Sequence, residues 1–280
     1  QLLAELSIPR NRFLLISIFG ASIEEYVDVA KHLAPHGDGL ELNLSCPHAK
    51  GLGMAMGQDP ALVEEIVSSV KAAVDVPVVA KLTPNVPDIG VIADAAEKGG
   101  ADAICAINTM GPEQYDSHGF PILSNKKGGV SGKGIMSTAL EGVSRIREAV
   151  RCPIIACGGI SGANDVRQFL QSGASIFGIG SALVGMTTAE IATYFQVLTK
   201  DLENQTDESE NLIRYDIDME FRPVKLVKNE RITEDICILT FDRKVEIQAG
   251  QFVFLWIPGL GEKPFSALLD DPFKIGRAHV

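Results

Sequence analysis

Short apolar runs alternate with amphipathic segments from residue 12 to residue 201 of the chain. Apolar runs bounded by glycine or proline predict buried strands, and apolar positions at helical spacing between them predict helices. The predicted strands are 12–20, 40–44, 76–82, 101–108, 153–157 and 175–180. The predicted helices are 22–33, 60–74, 88–98, 138–150, 163–171 and 188–201.

A repeated sequence supports one βα unit used several times. Residues 73–80 (AVDVPVVA) resemble residues 149–156 (AVRCPIIA), and each copy precedes or forms a predicted strand. Six such units predict either a (β/α)8 barrel of the TIM type that lacks its first two strands or an open doubly wound sheet. Glycines after the last two predicted strands favour the barrel.

The pattern changes after residue 202. Residues 203–220 are acidic and polar, which predicts a linker between a first domain at 1–202 and a second at 221–274. Alternating or β-branched runs at 224–227, 236–241 and 252–257 predict the start of an antiparallel β-barrel or sandwich. Residues 275–280 (IGRAHV) match the translation of a widely used sequencing-library adapter, so we expect them not to be native. Glycine- and proline-rich residues 109–133 predict a long loop near a site.

Charge and cysteine content narrow the class of protein. A formal net charge of −11 disfavours nucleic acid or an anionic membrane as a general partner. No run is apolar and long enough to span a bilayer. The five cysteines form neither a CxxC pair nor a zinc spacing, so we expect a reducing cytoplasm and no metal site. They are Cys46, Cys105, Cys152, Cys157 and Cys237.

A thiol follows the second predicted strand. Cys46 lies in the sequence Asn43-Leu-Ser-Cys-Pro47, where an apolar strand stops at small polar residues. Residues at the carboxyl ends of barrel strands form the active face, which favours a catalytic thiol over a buried structural one. His48 on the same loop is a base, a ligand or part of the surface.

Other strand ends carry groups suited to an anionic heterocyclic ligand. Gly158-Gly159 and Gly180-Ser181 follow consecutive strands, where glycines let backbone amides approach a phosphate. Lys81 ends an apolar strand, so its ammonium is expected to meet a charge in the site. The side chains of Asn43, Asn108 and Thr109 offer uncharged donors and acceptors, which suit a ring with paired carbonyl and N–H groups.

At this level of detail residues 12–200 resemble the FMN-binding barrel of dihydroorotate dehydrogenases, the soluble class that uses cysteine as its base. The matching motifs are NLSCP at 43–47, KLTPN at 81–85, INT at 107–109, GGVSG at 128–132, GGI at 158–160 and GS at 180–181. Residues 221–274 resemble the start of the FAD-binding electron-transfer subunit of the NAD-linked enzyme, through GQFV at 250–253 and EKPFS at 262–266. The chain therefore resembles a fusion of two subunits, each truncated.

The resemblance implies a role for each candidate residue in the oxidation of dihydroorotate to orotate. Cys46 would be the base, Lys81 would stabilise negative charge on the reduced flavin, and Asn43, Asn108, Thr109 and His48 would hold the pyrimidine. FMN would contact Ser17, Asn43, Lys81, Ile107, Gly132, Gly158, Gly159, Gly180 and Ser181. FAD would contact Lys263, Pro264, Phe265 and Ser266. A 2Fe–2S cluster and NAD would belong to sequence beyond this chain, and a homo-oligomer is expected to form through the barrel.

One departure keeps alternatives open. His48 stands where the family usually has an orotate-contacting Asn, and the Cys-Pro-His variant also resembles the barrel of dihydropyrimidine dehydrogenase. That relative carries its catalytic cysteine later in the loop, where this chain has Met56, which cannot exchange a proton. The alternatives are thus reduction of pyrimidine bases, which lacks its acid here, and a non-catalytic barrel that docks a reductase module.

Overall fold

The structure is a computed structural model that describes residues 8–9, 11–44, 56–111, 128–213, 222–232, 236–243, 252–257, 261–267 and 274–278. The chain divides into two units. The first contains Gln1–Met110 and Val130–Tyr215, and the second contains Gly111–Gly129 and Asp216–Val280.

A six-stranded parallel sheet forms the centre of the first unit. Each strand pairs with the next one along the chain, so the spatial order equals the sequence order. The strands are β1 (Leu15–Ile18), β2 (Gly39–Asn43), β3 (Val78–Lys81), β4 (Ala103–Ala106), β5 (Ile154–Cys157) and β6 (Ile176–Gly178). Sequential parallel order with a helix between neighbours is the arrangement of a β/α barrel, and these six strands make a half-barrel. The predicted parallel strands are therefore confirmed.

Helices alternate with these strands, and some of them begin at a polar side-chain cap. They are α1 (Ile23–Leu33), α2 (Pro60–Lys71), α3 (Ile89–Lys98), α4 (Met136–Ala149), α5 (Ala163–Gln171) and α6 (Thr188–Asn204). The Ser22 hydroxyl accepts a hydrogen bond from the Glu25 amide at the start of α1. The Asp59 carboxylate accepts one from the Ala61 amide at the start of α2, with Pro60 in the first turn. Each cap pairs an amide that a helix leaves unsatisfied, which sets where that helix begins.

The two faces of the sheet differ because successive strand residues point to opposite sides. The face packed against helices belongs to one continuous apolar core, which includes Leu40, Leu42, Val78, Ala80, Ile104, Ala106, Ile154 and Ala156. A smaller apolar cluster of Val79, Ala103 and Cys105 occupies the other face. In-register pairing places Ser17 and Glu41 on that second face beside Val79. The side chains of Ser17 and Glu41 therefore lie on the inner face of the half-barrel.

The first half of the predicted linker belongs to the first unit. Helix α6 continues to Asn204, and a short 3-10 turn covers Glu208–Leu212. The Asp201 carboxylate accepts hydrogen bonds from the Thr206 hydroxyl at 2.5 Å and the Ser209 amide at 2.7 Å. These bonds fasten residues 206–209 onto α6, so the acidic composition here reflects capping as well as solvation. Residues 214–220 lie outside the described residues.

The second unit contains a five-stranded antiparallel sheet. Its strands are β7 (Leu226–Arg231), β8 (Ile236–Phe241), β9 (Phe252–Ile257), β10 (Gly261–Ala267) and β11 (Lys274–Ala278), in the order β7-β8-β11-β10-β9. The runs predicted at 236–241 and 252–257 coincide with β8 and β9, whereas the first strand begins two residues later than predicted and runs to Arg231. Ile275 to Ala278, within the segment expected not to be native, pair with β8 in β11.

The predicted loop 109–133 begins and ends at one point of the first unit. The backbones of Met110 and Val130 form an isolated antiparallel bridge, and Gly132 leads into the turn Lys133–Ile135. Residues 112–127 lie outside the described part of the chain. Within the described part, none of the helices combines the length and apolarity that crossing a membrane requires.

Candidate functional site

Two asparagine side chains meet at the carboxyl ends of β2 and β4. The Asn108 Nδ2 atom donates a hydrogen bond to Asn43 Oδ1 at 3.0 Å. Further hydrogen bonds hold the backbone of both asparagines in place. The backbone amide of Asn108 donates to the Leu82 carbonyl, and the Tyr26 hydroxyl donates to the Asn43 carbonyl. The Thr109 amide in turn donates to Asn108 Oδ1 at 2.8 Å. The structure therefore brings together the three described residues predicted to hold a pyrimidine.

Lys81 lies directly beside this pair. It is the register partner of Asn43 across β2 and β3, and its side chain is 23% exposed. Its Nζ atom lies 3.6 Å from Oε1 of Glu41, whose side chain is 11% exposed. The Ser17 hydroxyl donates to the same Oε1 atom at 3.0 Å. The charge that the sequence predicts for Lys81 to meet is thus the Glu41 carboxylate.

The pKa of the Lys81 ammonium reflects opposing influences. Burial lowers this pKa, but the charge interactions with Cys105, Glu41 and Cys157 raise it by a larger amount. The pKa of Lys81 therefore lies above the usual value for lysine. The hydrogen bond with Cys157 and burial raise the pKa of Cys105 well above the usual value. Glu41 is the carboxylate among these neighbours, with its Oε1 atom 3.6 Å from the ammonium.

A pair of thiols lies on the same face of the sheet. The sulfur atoms of Cys105 on β4 and Cys157 on β5 are 3.6 Å apart. The hydrogen bond from Cys105 lowers the pKa of Cys157, burial opposes this, and Lys81 acts in the lowering direction. Neither thiol lies on the loop predicted to carry the catalytic base.

Glycines shape the turn that follows β5. Gly158 and Gly159 have φ angles of 121° and 85°, a region that residues with a Cβ rarely adopt. A Cβ on Gly158 would lie 2.9 Å from the Ala139 Cβ, and one on Gly159 would lie 2.8 Å from the Met136 Cβ. Both the positive φ angles and the close packing against α4 therefore require glycine at these two positions.

Gly132 and Ser181 lie beside this turn. A Cβ on Gly159 would lie 3.0 Å from the Gly132 carbonyl oxygen, and a Cβ on Gly132 would lie 3.6 Å from the Ser181 Oγ atom. Gly180 has a φ of −122° and no atom within 4 Å of an added Cβ. The predicted phosphate residues therefore cluster, although the space at Gly180 does not itself require glycine.

The remaining predicted residues lie in other parts of the chain. The Ile107 side chain is buried in the core. Its backbone amide donates to the Cys157 carbonyl. Cys46 and His48 lie outside the described residues. The stretch from Lys263 to Ser266 lies in β10, where it pairs with β9, and only its backbone is described.

Glu41 is the member of the site that the sequence pattern does not assign. In sequence it is one acidic residue inside an apolar run, between Leu40 and Leu42. A carboxylate in a buried strand is costly unless it is paired. A glutamate inside an apolar run therefore indicates that a partner lies nearby in the fold. Its partners Ser17 and Lys81 come from two other strands, so only pairing of the strands identifies them.

Parallel βα units, polar residues at the carboxyl ends of strands and glycine turns after the later strands are the features of an α/β-barrel protein, and they make that end of the sheet the candidate site. The comparisons with known proteins agree with this class. A family model described as dihydroorotate dehydrogenase matches residues 6–199, and the chain belongs to this family.

Curated relatives match the same part of the chain. The catalytic subunit of dihydroorotate dehydrogenase B (NAD(+)) from Pyrococcus horikoshii is 50% identical over 170 residues, which cover 60% of this chain and 56% of the relative. The protein of the same name from Methanocella arvoryzae is 48% identical over 182 residues, 64% of this chain and 60% of the relative. Dihydroorotate dehydrogenase A (fumarate) from Lacticaseibacillus paracasei is 45% identical over 172 residues, 60% of this chain and 59% of the relative. The chain thus spans less than two thirds of these relatives.

Solved structures share the fold. The dihydroorotate dehydrogenase of Eimeria tenella in complex with ferulenol superimposes with a TM-score of 0.54 at 20% identity, covering 69% of this chain and 58% of that one. The ligand-free form of that protein gives the same TM-score and identity, with 70% and 60% covered. At this identity the likeness supports the architecture of the first unit.

Proposed function

We propose that this chain carries the catalytic barrel of a dihydroorotate dehydrogenase, which oxidises dihydroorotate to orotate in pyrimidine biosynthesis. The observation that carries the proposal is the meeting of Asn43, Asn108 and Lys81 at adjoining strand ends in a member of this family. Two amides and one cation suit a ring with alternating carbonyl and N–H groups beside a centre that gains negative charge.

FMN is the cofactor that the described residues fit. The turn at Gly158 and Gly159 carries no side chains, and the Ser181 hydroxyl lies near Gly132, which supports a phosphate held by backbone amides and a hydroxyl. The residues proposed to hold the phosphate are Gly132, Gly158, Gly159, Gly180 and Ser181. Those proposed to contact the rest of the cofactor are Ser17, Asn43, Lys81 and Ile107. FMN held by these residues would supply a hydride acceptor for C6 of dihydroorotate.

The chain's own residues would manage the proton and the charge. Cys46, as thiolate, would take the proton from C5 of the substrate, which a modestly lowered thiol pKa permits near neutrality. Asn43, Asn108 and Thr109 would orient the ring, and His48 would add a further contact to it. Lys81 would hold a positive charge close to the reduced ring system.

The environment of Met56 disfavours the alternative reaction. Reduction of pyrimidine bases needs an acid at this position, and Met56 is buried within the apolar core. Its thioether has no exchangeable proton. The third possibility is a barrel that only docks a reductase. Such a barrel would have no use for a lysine beside a buried carboxylate, because a buried ion pair adds little stability of its own.

We further propose that the second unit is the start of an FAD-binding module that passes electrons to NAD. An antiparallel sheet with Lys263, Pro264, Phe265 and Ser266 in one strand is consistent with the EKPFS motif, and the curated B-type relatives are named as catalytic subunits of NAD(+)-linked enzymes. A 2Fe–2S cluster and the NAD site would then lie in sequence beyond this chain, with a homo-oligomer formed through the barrel in the cytoplasm.

Substrate choice tests the main proposal. The complete gene would be expressed, the purified protein reconstituted with FMN, and the initial rates measured with dihydroorotate and with dihydrouracil. We expect turnover of dihydroorotate, with little or none of dihydrouracil. Turnover of dihydrouracil alone would reverse the assignment, and a protein that cannot be loaded with FMN would exclude both flavin reactions.

A matched pair of cysteine variants tests the base. Cys46→Ala should lower the rate of dihydroorotate oxidation at neutral pH by about 10²- to 10⁴-fold, the usual contribution of a general base, while FMN stays bound. Cys152→Ala is the control, because this half-buried thiol precedes β5 at the opposite end of the strands. Near-normal oxidation by Cys46→Ala would remove Cys46 from the mechanism.

A further inference from the structure

Glu41 is a buried carboxylate for which the reaction proposed above has no direct use. It is 8% exposed in the middle of β2. One of its oxygens, Oε1, accepts a hydrogen bond from Ser17 and lies 3.6 Å from the Lys81 ammonium. The three residues come from three adjacent strands, so the group depends on the register of the sheet.

The register explains why these side chains meet. Ser17 pairs directly with Glu41, and Glu41 pairs with Val79, two residues before Lys81 on the same face of β3. Ser17 therefore holds the carboxylate from one side, while the longer lysine side chain approaches from the other. Glu41 is thereby fixed between a neutral donor and a cation.

We propose that Glu41 is a positioning residue that holds the Lys81 amine in place and keeps it positively charged at the carboxyl end of the strands. This inference rests on the proposed function, because it assigns Glu41 to the cation that would face the reduced flavin. It goes further by giving a role to a residue that would touch neither substrate nor cofactor.

Burial gives the physical reason. Removing an ammonium from water favours its neutral form, which lowers the pKa of a buried lysine. For Lys81 the anionic neighbours outweigh this effect and raise the pKa above its usual value. The titratable groups that face Lys81 from the described strands are Glu41 on β2, Cys105 on β4 and Cys157 on β5. Glu41 is the carboxylate among these groups, and its oxygen lies 3.6 Å from the ammonium, so removing its charge would remove part of what opposes the effect of burial.

The titration of Lys81 tests the inference without any flavin. The complete protein would be labelled with lysine that carries ¹³C at Cε, and the Lys81 signal identified by its loss in Lys81→Arg. We expect Glu41→Gln, which keeps the size and removes the charge, to lower the titration midpoint of Lys81 by about one pH unit or more. Glu141→Gln removes the same charge from an exposed pair with Arg145 and should leave the midpoint unchanged.

A second variant keeps the test decisive if Glu41→Gln does not fold. Glu41→Leu also removes the charge and fills the space with an apolar side chain, so its Lys81 midpoint should fall at least as far as that of Glu41→Gln. An unchanged midpoint in whichever of these variants folds would overturn the inference. A merely structural role for Glu41 would lower stability and leave the Lys81 titration where it is.

Flavin binding then separates this inference from the proposed function. FMN affinity should be lost at alkaline pH, where Lys81 loses its proton. In Glu41→Gln this loss should begin at a lower pH than in the wild type, by the same number of pH units as the Lys81 midpoint is lowered. A wild-type protein that fails to bind FMN would refute the proposed function alone. Normal FMN binding with coincident alkaline limits in the wild type and Glu41→Gln would refute the role of Glu41 alone.

Discussion

The side-chain amide of Asn108 donates to that of Asn43 at 3.0 Å, across a sequence separation of 65 residues. The bond crosses the end of β3, so it places two amides and Lys81 at the carboxyl ends of three consecutive strands. An amide pair that is already oriented by the fold costs little ordering when a ring with complementary groups arrives.

Removing one member of this pair should weaken substrate recognition. Asn108→Ala eliminates one donor and one acceptor of the site, and a lost hydrogen bond of this kind is expected to lower kcat/KM for dihydroorotate by about tenfold or more. Asn229→Ala on the exposed face of β7 is the control and should leave the kinetics unchanged. Equal kcat/KM values for Asn108→Ala and the wild type would exclude Asn108 from the substrate site.

Two glycine variants separate the needs of the fold from those of phosphate binding. Gly159→Ala forces a Cβ to within 2.8 Å of Met136 at a positive φ, so it should lower the free energy of unfolding by about 1–3 kcal/mol. The Cβ added by Gly180→Ala has no atom within 4 Å, so this variant should change the free energy of unfolding by no more than about 0.5 kcal/mol. Urea denaturation measures both.

The affinity for FMN completes this comparison. Gly180→Ala should weaken FMN binding in a protein of unchanged stability, because the added methyl group keeps the phosphate away from the backbone. Titration of flavin fluorescence measures the dissociation constant. Unchanged affinity in Gly180→Ala would place the phosphate elsewhere.

Asp201 should stabilise the end of the first unit in a pH-dependent way. Its side chain is buried, and although burial raises its pKa, the hydrogen bonds from Thr206 and Ser209 lower it to about 2. A carboxyl pKa below its unfolded value of about 3.9 adds stability above that pH, and this stability is lost as the pH falls towards 2.

Asp201→Asn tests this contribution. The amide offers one acceptor where two donors need partners, so the free energy of unfolding at pH 7 should fall by about 1–2 kcal/mol. The difference from the wild type should shrink between pH 4 and pH 2, as followed by urea denaturation at each pH. Glu203→Gln on the exposed side of α6 is the control, and a difference independent of pH would contradict the assignment.

Lys133 should stabilise a second polar cluster in the first unit. Its ammonium lies 2.6 Å from a carboxylate oxygen of Asp165, whose side chain is 5% exposed, and 3.2 Å from Glu210. Lys133→Met leaves the Asp165 carboxylate without its cation and should cost about 1–3 kcal/mol of unfolding free energy. Lys228→Met breaks an exposed pair with Glu230 and should cost less than about 1 kcal/mol.

The pH dependence of this pair has the opposite sign to that of Asp201. Burial lowers the pKa of Lys133, but Asp165 and Glu210 raise it above the usual value. The stabilisation should therefore be complete at neutral pH and disappear as the pH rises above about 10.4, the unfolded value. Alkaline unfolding curves of the wild type and Lys133→Met should converge there, and curves that stay parallel would count against the ion pair.

Much of the first unit follows from local sequence patterns. Apolar runs such as 40–44 predict buried strands, and Ser22 and Asp59 predict where two helices begin, because each acts on atoms a few residues away. The glycines at 158 and 159 are similarly predictable from their place after a strand. The amide pair of Asn43 and Asn108 is predicted as a set of equivalent strand ends, although the bond itself is not.

The segment after α6 shows where composition misleads. An acidic, polar stretch from residue 203 predicts a linker, because charge is usually solvated. In the structure Asp201 instead accepts two hydrogen bonds from this stretch, and Asp207 accepts one from the Asn164 amide at the start of α5. A carboxylate that caps a backbone amide has the same composition as one that only faces water, so the pattern cannot separate them.

The sequence by itself determined the βα repeat, the glycine turns and the polar groups at the strand ends, because these depend on residue type and on spacing along one strand. Only the tertiary structure decided that Ser17, Glu41 and Lys81 form one group, since side chains on different strands meet only when the strands are aligned. The alternation of a strand says that a residue faces one side of the sheet, whereas the register between strands decides which charge it meets there.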